Sequence, residues 1–258
     1  MDKQNRKAII AGNWKMNKTI KETEEFFNEL KERMPKTKNE VLVCPAYLSL
    51  QKATEIVSGT PIRIGAQNMH YEDKGAFTGE ISPVMLKEVG VDYVIIGHSS
   101  RRQFDNDTDE KINKKLKKAI DSGFIPILCI GETLKQREQN RTYRVLKKQL
   151  TLDFEGVTEP ERVVIAYEPL WAISDGIHPA QTPTLEEISN VNSGIKRVLR
   201  QMYGKEAVKK MRILYGGSVS EENAKEILNE RSVSGVLVGG ASMNVDKWVK
   251  IIEASNKE

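Results

Sequence analysis

Cysteine is scarce in this chain of 258 residues: there are two, Cys44 and Cys129, and neither belongs to a CxxC pair. That spacing argues against a disulfide framework and against a zinc knuckle. Histidine is equally thin. His70, His98 and His178 stand far apart, with no HExxH and no acidic cluster beside them, so a catalytic metal has no evident ligand set and none is expected. No apolar run approaches the ~20 residues that a membrane-spanning helix needs. The polar opening Met1-Asp2-Lys3-Gln4-Asn5 is unlike a secretory leader, and a cytoplasmic location is expected. Excess charge is lacking too: 40 basic and 36 acidic residues leave a net +4, too even to announce a nucleic-acid or membrane surface. GxGxxG and GxxxxGK[ST] are both absent. Gly97-His98-Ser99-Ser100-Arg101 and Gly216-Gly217-Ser218-Val219-Ser220 each miss the last glycine of a GxSxG elbow.

What the chain does have is rhythm. Short runs rich in Val, Ile and Leu recur at residues 8–11, 41–44, 62–65, 93–96, 125–130, 163–167, 213–215 and 236–238. Most lack strict alternation, so they read as strands buried on both faces. Amphipathic stretches separate them. Residues 19–34 place Phe26, Leu30 and Met34 four apart, and residues 109–122 do the same with Ile112, Leu116 and Ile120. The lysines of the second stretch, Lys111, Lys114, Lys115, Lys117 and Lys118, read as a solvated face. Thr184-Leu185-Glu186-Glu187 and Ser220-Glu221-Glu222 have the form of helix starts with acidic first turns. Eight strands alternating with helices, with no low-complexity linker between, predict an α/β chain folded as one (β/α)8 barrel domain over residues 1–258. A doubly wound open sheet shares the alternation but usually carries a Gly-rich dinucleotide fingerprint.

In a barrel of parallel strands, chemistry sits at the carboxyl ends. There the sequence offers Asn13 and Lys15 after the first run, His98 after the fourth and Glu168 after the sixth. Gly216-Gly217-Ser218 follows the seventh and Gly239-Gly240 the eighth. Two glycine pairs after the last two strands suit an anion nest of backbone N–H groups, the usual phosphate position of this architecture. Glu168 precedes the apolar Pro169-Leu170-Trp171, where partial desolvation makes a carboxylate a better base. Taken singly, each residue has a plainer reading: a surface glutamate, a core histidine, a solvated lysine. Together they suit proton shuttling beside the carbonyl of a phosphorylated small molecule. Cys129 reads as a buried structural thiol.

The order of longer motifs adds a resemblance. Asn13-Trp14-Lys15-Met16-Asn17, Gly65-Ala66-Gln67-Asn68, Gly75-Ala76-Phe77-Thr78-Gly79-Glu80 and Gly97-His98-Ser99 are followed by Cys129-Ile130-Gly131-Glu132 and Ala166-Tyr167-Glu168-Pro169. Leu214-Tyr215-Gly216-Gly217-Ser218-Val219 and Val238-Gly239-Gly240-Ala241-Ser242 complete the series. Over essentially the whole chain the sequence resembles the triosephosphate isomerase family, whose relatives include isomerases of erythrulose phosphates. The resemblance implies interconversion of glyceraldehyde 3-phosphate and dihydroxyacetone phosphate through a cis-enediolate. It implies Glu168 as base, His98 as neutral electrophile, Lys15 as electrostatic stabiliser and Asn13 as a supporting contact. Ser174, Ser218, Gly239 and Gly240 would bind the phosphate, beneath a lid hinged at Pro169-Leu170-Trp171 and latched by Tyr215 and Ser218. It further implies a homodimer through the loop around Thr78, with no cofactor and no metal.

Three departures stand out. The family's Gly-His-Ser-Glu-Arg-Arg reads Gly97-His98-Ser99-Ser100-Arg101-Arg102, removing an anion expected near Lys15. The same loop continues Gln103-Phe104-Asp105-Asn106-Asp107, without the usual Phe-Gly-Glu. The lid tip, Ile173-Ser174-Asp175-Gly176-Ile177-His178-Pro179-Ala180, differs from the usual form, and the segment to Thr182-Pro183 is about two residues longer. This tip resembles lids of the erythrulose-phosphate isomerases, whereas Gly239-Gly240-Ala241-Ser242 keeps the triose form. A four-carbon keto-sugar phosphate therefore remains an alternative substrate, and a non-catalytic phosphate-binding paralogue a third reading.

Overall fold

Short strands that are apolar on both faces leave a sheet without a solvent side, and closing the sheet removes its edges as well. In the computed structural model, which describes residues 7–173 and 181–256, eight parallel strands form a closed barrel in chain order. They are β1 (Ile9–Asn13), β2 (Glu40–Cys44), β3 (Ile62–Ala66), β4 (Tyr93–Ile96), β5 (Ile125–Ile130), β6 (Val164–Tyr167), β7 (Arg212–Tyr215) and β8 (Gly235–Val238). All eight lie within two residues of the runs expected from sequence. Ile9 of β1 pairs with Glu40 of β2 on one side and Gly235 of β8 on the other, so the first and last strands meet at a seam.

Alternate side chains separate into two cores. Ile9, Ala11, Leu42, Ile95, Ile127 and Leu214 belong to the set that fills the barrel. Ile10, Val41, Val43, Val94 and Ile96 pack outward against the helices. The outer layer consists of α1 (Ile20–Arg33), α2 (Leu50–Val57), α3 (Pro83–Val89), α4 (Ser99–Phe104), α5 (Asp109–Asp121), α6 (Leu134–Glu138), α7 (Thr142–Asp153), α8 (Leu185–Lys210), α9 (Ala224–Asn229) and α10 (Val245–Ala254). Thr19, Thr108 and Thr184 cap α1, α5 and α8 by accepting from amides of the first turn, and Glu22 and Glu187 complete capping boxes. Each such cap is worth about 1 kcal/mol.

Two local expectations change. Ser220-Glu221-Glu222 is a turn, not the first turn of a helix, and α9 begins at Ala224. The polar groups there serve the turn: Asn223 Oδ1 accepts from the Ser220 amide, and Asn223 Nδ2 donates to the carbonyl of Ser218. Lys115 is not on a solvated face but is 3 % exposed. Three residues on from Ile112, it falls on the buried side of α5. Its ammonium is satisfied there by Asp107 at 2.8 Å and Asn68 Oδ1 at 3.0 Å.

Candidate active site

The carboxyl ends of the strands converge on one rim, and each polar side chain there is held by its own local device. After β1 the chain turns sharply, with Lys15 at φ +54°. The Lys15 amide donates to Asn13 Oδ1 at 3.0 Å, and its carbonyl accepts from Gln67 Nε2 at 2.8 Å. Trp14 is fully buried, lies edge-on to Phe26 at 4.8 Å and donates Nε1–H to the carbonyl of Ser242. Lys15 therefore stands on an anchored backbone while its side chain reaches out from it. A Cβ placed on Gly239 would come 3.9 Å from Lys15 Cε, so the loops after β1 and β8 adjoin. Among the described residues, Lys15 is in no ion pair.

His98 follows β4 and caps α4: its Nδ1 accepts from the Ser100 amide at 3.2 Å and lies 2.8 Å from Ser100 Oγ. An Nδ1 that accepts an amide N–H carries no proton, so the ring is neutral with its hydrogen on Nε2. Nε2 is 3.4 Å from Glu168 Oε1.

Glu168, 2 % exposed, follows β6, and its other oxygen accepts from the Ser99 amide at 3.4 Å. Two glycines make room for it. A Cβ on Gly131 would lie 1.8 Å from the Glu168 carbonyl oxygen, and one on Gly216 would lie 2.7 Å from its Cγ. Cys129 sits beneath, fully buried; burial first, and then the charge of Glu168, push its thiol well up, so it stays protonated. It is a structural thiol, as its sequence context suggested.

After β7 the Tyr215 hydroxyl packs over Gly217, where a Cβ would lie 2.2 Å away. That hydroxyl is buried and makes no well-formed hydrogen bond among the described residues. The backbone of Ser218 faces that hydroxyl, and the Gly240 amide donates to no backbone acceptor among the described residues. Asn13, Lys15, His98, Glu168, Ser218, Gly239 and Gly240 thus all stand at the carboxyl ends of strands on this rim. Ser174, and with it the lid tip through Ala180, lies outside the described residues. Among the described residues, no three His, Cys, Asp or Glu side chains are grouped to hold a metal ion.

With that geometry in hand, comparison with known proteins is decisive. The family model described as triosephosphate isomerase matches residues 8–255. The chain belongs to the triosephosphate isomerase family. Curated triosephosphate isomerases from Alkaliphilus metalliredigens (strain QYMF) and Clostridium botulinum (strain Loch Maree / Type A3) are each 49% identical over 249 residues. These alignments cover 96% of this chain and 99% of either relative. The crystal structure of triosephosphate isomerase from Bartonella henselae superposes with a TM-score of 0.87 at 35% identity, over 97% of this chain and 100% of that one.

Two side chains shape this triosephosphate isomerase site without having been singled out from sequence. Glu132, fully buried, accepts from the Tyr167 hydroxyl at 3.1 Å and from Trp171 Nε1 at 3.0 Å, fastening the segment expected to hinge a lid. Arg137 lies 4.1 Å from the Trp171 ring and pairs with Glu187 in the first turn of α8, and the Gln181 amide donates to the Trp171 carbonyl. Gln67 is the second, bridging the carbonyls of Lys15 and Cys44. Both occur within motifs that matched the family, and both lie at strand ends. In the loop that departs from Phe-Gly-Glu, Asn106 takes φ +51°, and Asp107 accepts from Arg101 and Lys115. Asparagine is among the few non-glycine residues that adopt that conformation readily.

Proposed function

We propose that Glu168, His98 and Lys15 carry the isomerase reaction of this chain, the interconversion of dihydroxyacetone phosphate and glyceraldehyde 3-phosphate. Starting from the ketone, a Glu168 oxygen takes a proton from C1, the carbon bearing the hydroxyl. The C1–H pair becomes the C1–C2 double bond, and the carbonyl electrons move onto O2. The His98 Nε2–H donates to that oxygen as charge develops, and the Lys15 ammonium stabilises the enediolate. A proton passed from O1 to O2 by way of the imidazole, and the return of the Glu168 proton to C2, complete the aldehyde. Atoms and electrons balance with no cofactor. The observation that carries this reading is the 3.4 Å approach of a buried carboxylate to the Nε2 of an imidazole whose Nδ1 is already engaged.

Asn13 acts through Lys15, since its Oδ1 is committed to that residue's amide. The backbone amides near Ser174, Ser218, Gly239 and Gly240 hold the phosphate; Tyr215 and Ser218 latch the lid, which shields the enediolate from water. A homodimer through the loop around Thr78 is supported by exposed apolar side chains: Phe77 on that loop, with Met16 (96 %), Leu48 (84 %) and Met85 (52 %) elsewhere on the described surface. Met16 adjoins Lys15, so a partner covering it would also stiffen the lysine. No helix of the described residues is long and apolar enough to cross a membrane, and a cytoplasmic place in glycolysis and gluconeogenesis fits the reaction.

The relatives reported above are named for the triose phosphate, and the four-carbon substrate gains no support from them. Purified protein assayed on glyceraldehyde 3-phosphate and both erythrulose phosphates is expected to prefer the triose by kcat/KM. A preference for either tetrulose phosphate, or no turnover of any of the three, overturns the assignment.

A further inference from the structure

The residue at position 100 departs from the family's glutamate, and the geometry around it is specific. The Ser100 amide can only donate, so the His98 Nδ1 that it meets at 3.2 Å must offer its lone pair. The Ser100 hydroxyl lies 2.8 Å from the same nitrogen. With no proton on Nδ1, attraction across that distance requires the hydroxyl to donate as well. The imidazole thus has two donors from one residue on its inner nitrogen, and the shorter contact is the side chain's. A glutamate there keeps the amide but supplies a carboxylate, which at neutral pH accepts and cannot donate.

We propose that Ser100 is a positioning residue for His98: its hydroxyl reinforces the amide at Nδ1 and holds the ring as the neutral Nε2–H tautomer aimed at Glu168 and the substrate oxygens. The serine is then a substitute device for orienting the electrophile and not merely a missing anion. This inference rests on His98 being the electrophile. It accounts for a site in which Lys15 makes no ion pair among the described residues while the histidine gains a second tether. Ser100 itself need not touch substrate.

The test compares Ser100→Ala, Ser100→Thr and Ser100→Glu with the parent, by steady-state kinetics on both triose phosphates and by 15N spectra of histidine-labelled resting protein. His98→Gln assigns the resonance. In the parent, His98 is expected to show an Nε2–H nitrogen and a hydrogen-bonded acceptor Nδ1. In Ser100→Ala the Nδ1 signal moves toward that of a free acceptor, kcat falls about 3- to 10-fold and KM stays within about twofold, the size expected for one hydrogen bond. Ser100→Thr restores the signal and most of the rate, which separates positioning from a general loss of structure. Ser100→Glu falls at least as far as Ser100→Ala.

An alanine variant with an unmoved Nδ1 resonance, a loss confined to KM, a loss that threonine does not repair, or a glutamate variant at parental rate or above overturns the proposal. Full turnover in His98→Gln would overturn the underlying reading of the electrophile instead, and the resting-state spectra decide the Nδ1 contact independently of turnover.

Discussion

Substituting Gly216 by alanine isolates how tightly the base must be placed. The new Cβ would lie 2.7 Å from Glu168 Cγ and 3.5 Å from its Oε1, while no positive φ forbids alanine there. Ordinary carbon–carbon contact begins at about 3.5 Å, so the Glu168 side chain must shift by about 0.8 Å or rotate away. The Gly131 contact pins its backbone, which leaves the side chain to absorb most of the change. A misplacement of about 1 Å in a reacting group costs on the order of 100-fold in rate. Gly216→Ala should therefore lose about 30- to 100-fold in kcat with KM little changed, together with an overpacking penalty of about 1–3 kcal/mol. A coupled assay in both directions, run beside a denaturant melt, measures the two effects separately. A folded variant with kcat within twofold of the parent would refute the claim that the glycine sets the position of the carboxylate.

Glu168→Gln keeps the shape and removes the proton acceptor; turnover should fall by about 1,000-fold or more while the melt stays close to parental, and near-normal turnover would remove Glu168 as base. Asp153, buried behind the site, is a source of pH dependence. Burial pushes its carboxyl up to about 7 from the usual 3.8, against the pull of Arg102 at 2.6 Å. Between about pH 4 and 7 the folded state then binds this proton more readily than the unfolded chain. The group's stability contribution is whole below about pH 4 and is lost as pH rises through 7, by up to ~1.4 kcal/mol per unit. Chemical denaturation at pH 5 and 7 should show the parent losing more stability than Asp153→Asn over that interval; equal losses would refute the shift.

Much of this was legible in the sequence because it is written in local periods. β1 to β8 announce themselves as runs apolar on both faces, and Thr184 marks a helix start three residues ahead of Glu187. The rim residues were legible because a parallel barrel assigns chemistry to whatever follows each strand. What stayed hidden depends on partners distant in the chain. Lys115 looked solvated because nothing nearby in sequence tells that Asn68 and Asp107 surround it. Glu132 and Gln67 looked like motif filler because their role is to receive Trp171 and to hold Lys15. Ser100 read as a loss because a deleted charge is visible in sequence, whereas a hydroxyl at hydrogen-bonding distance from a ring nitrogen is not.

The tether from Trp14 to Ser242 has a consequence for how the protein is made. It joins residues 228 positions apart, across the seam where β1 meets β8. The loop bearing Lys15 leaves the ribosome well before its anchor, which follows 228 positions after Trp14. A nascent chain can settle α1 against Trp14 early, and Asn13 and Gln67 can hold the Lys15 backbone, but the Trp14 indole gains its acceptor only when Ser242 has emerged. The site is therefore finished only after Ser242 is made, and a product cut short before that residue keeps β1 to β8 without the tether.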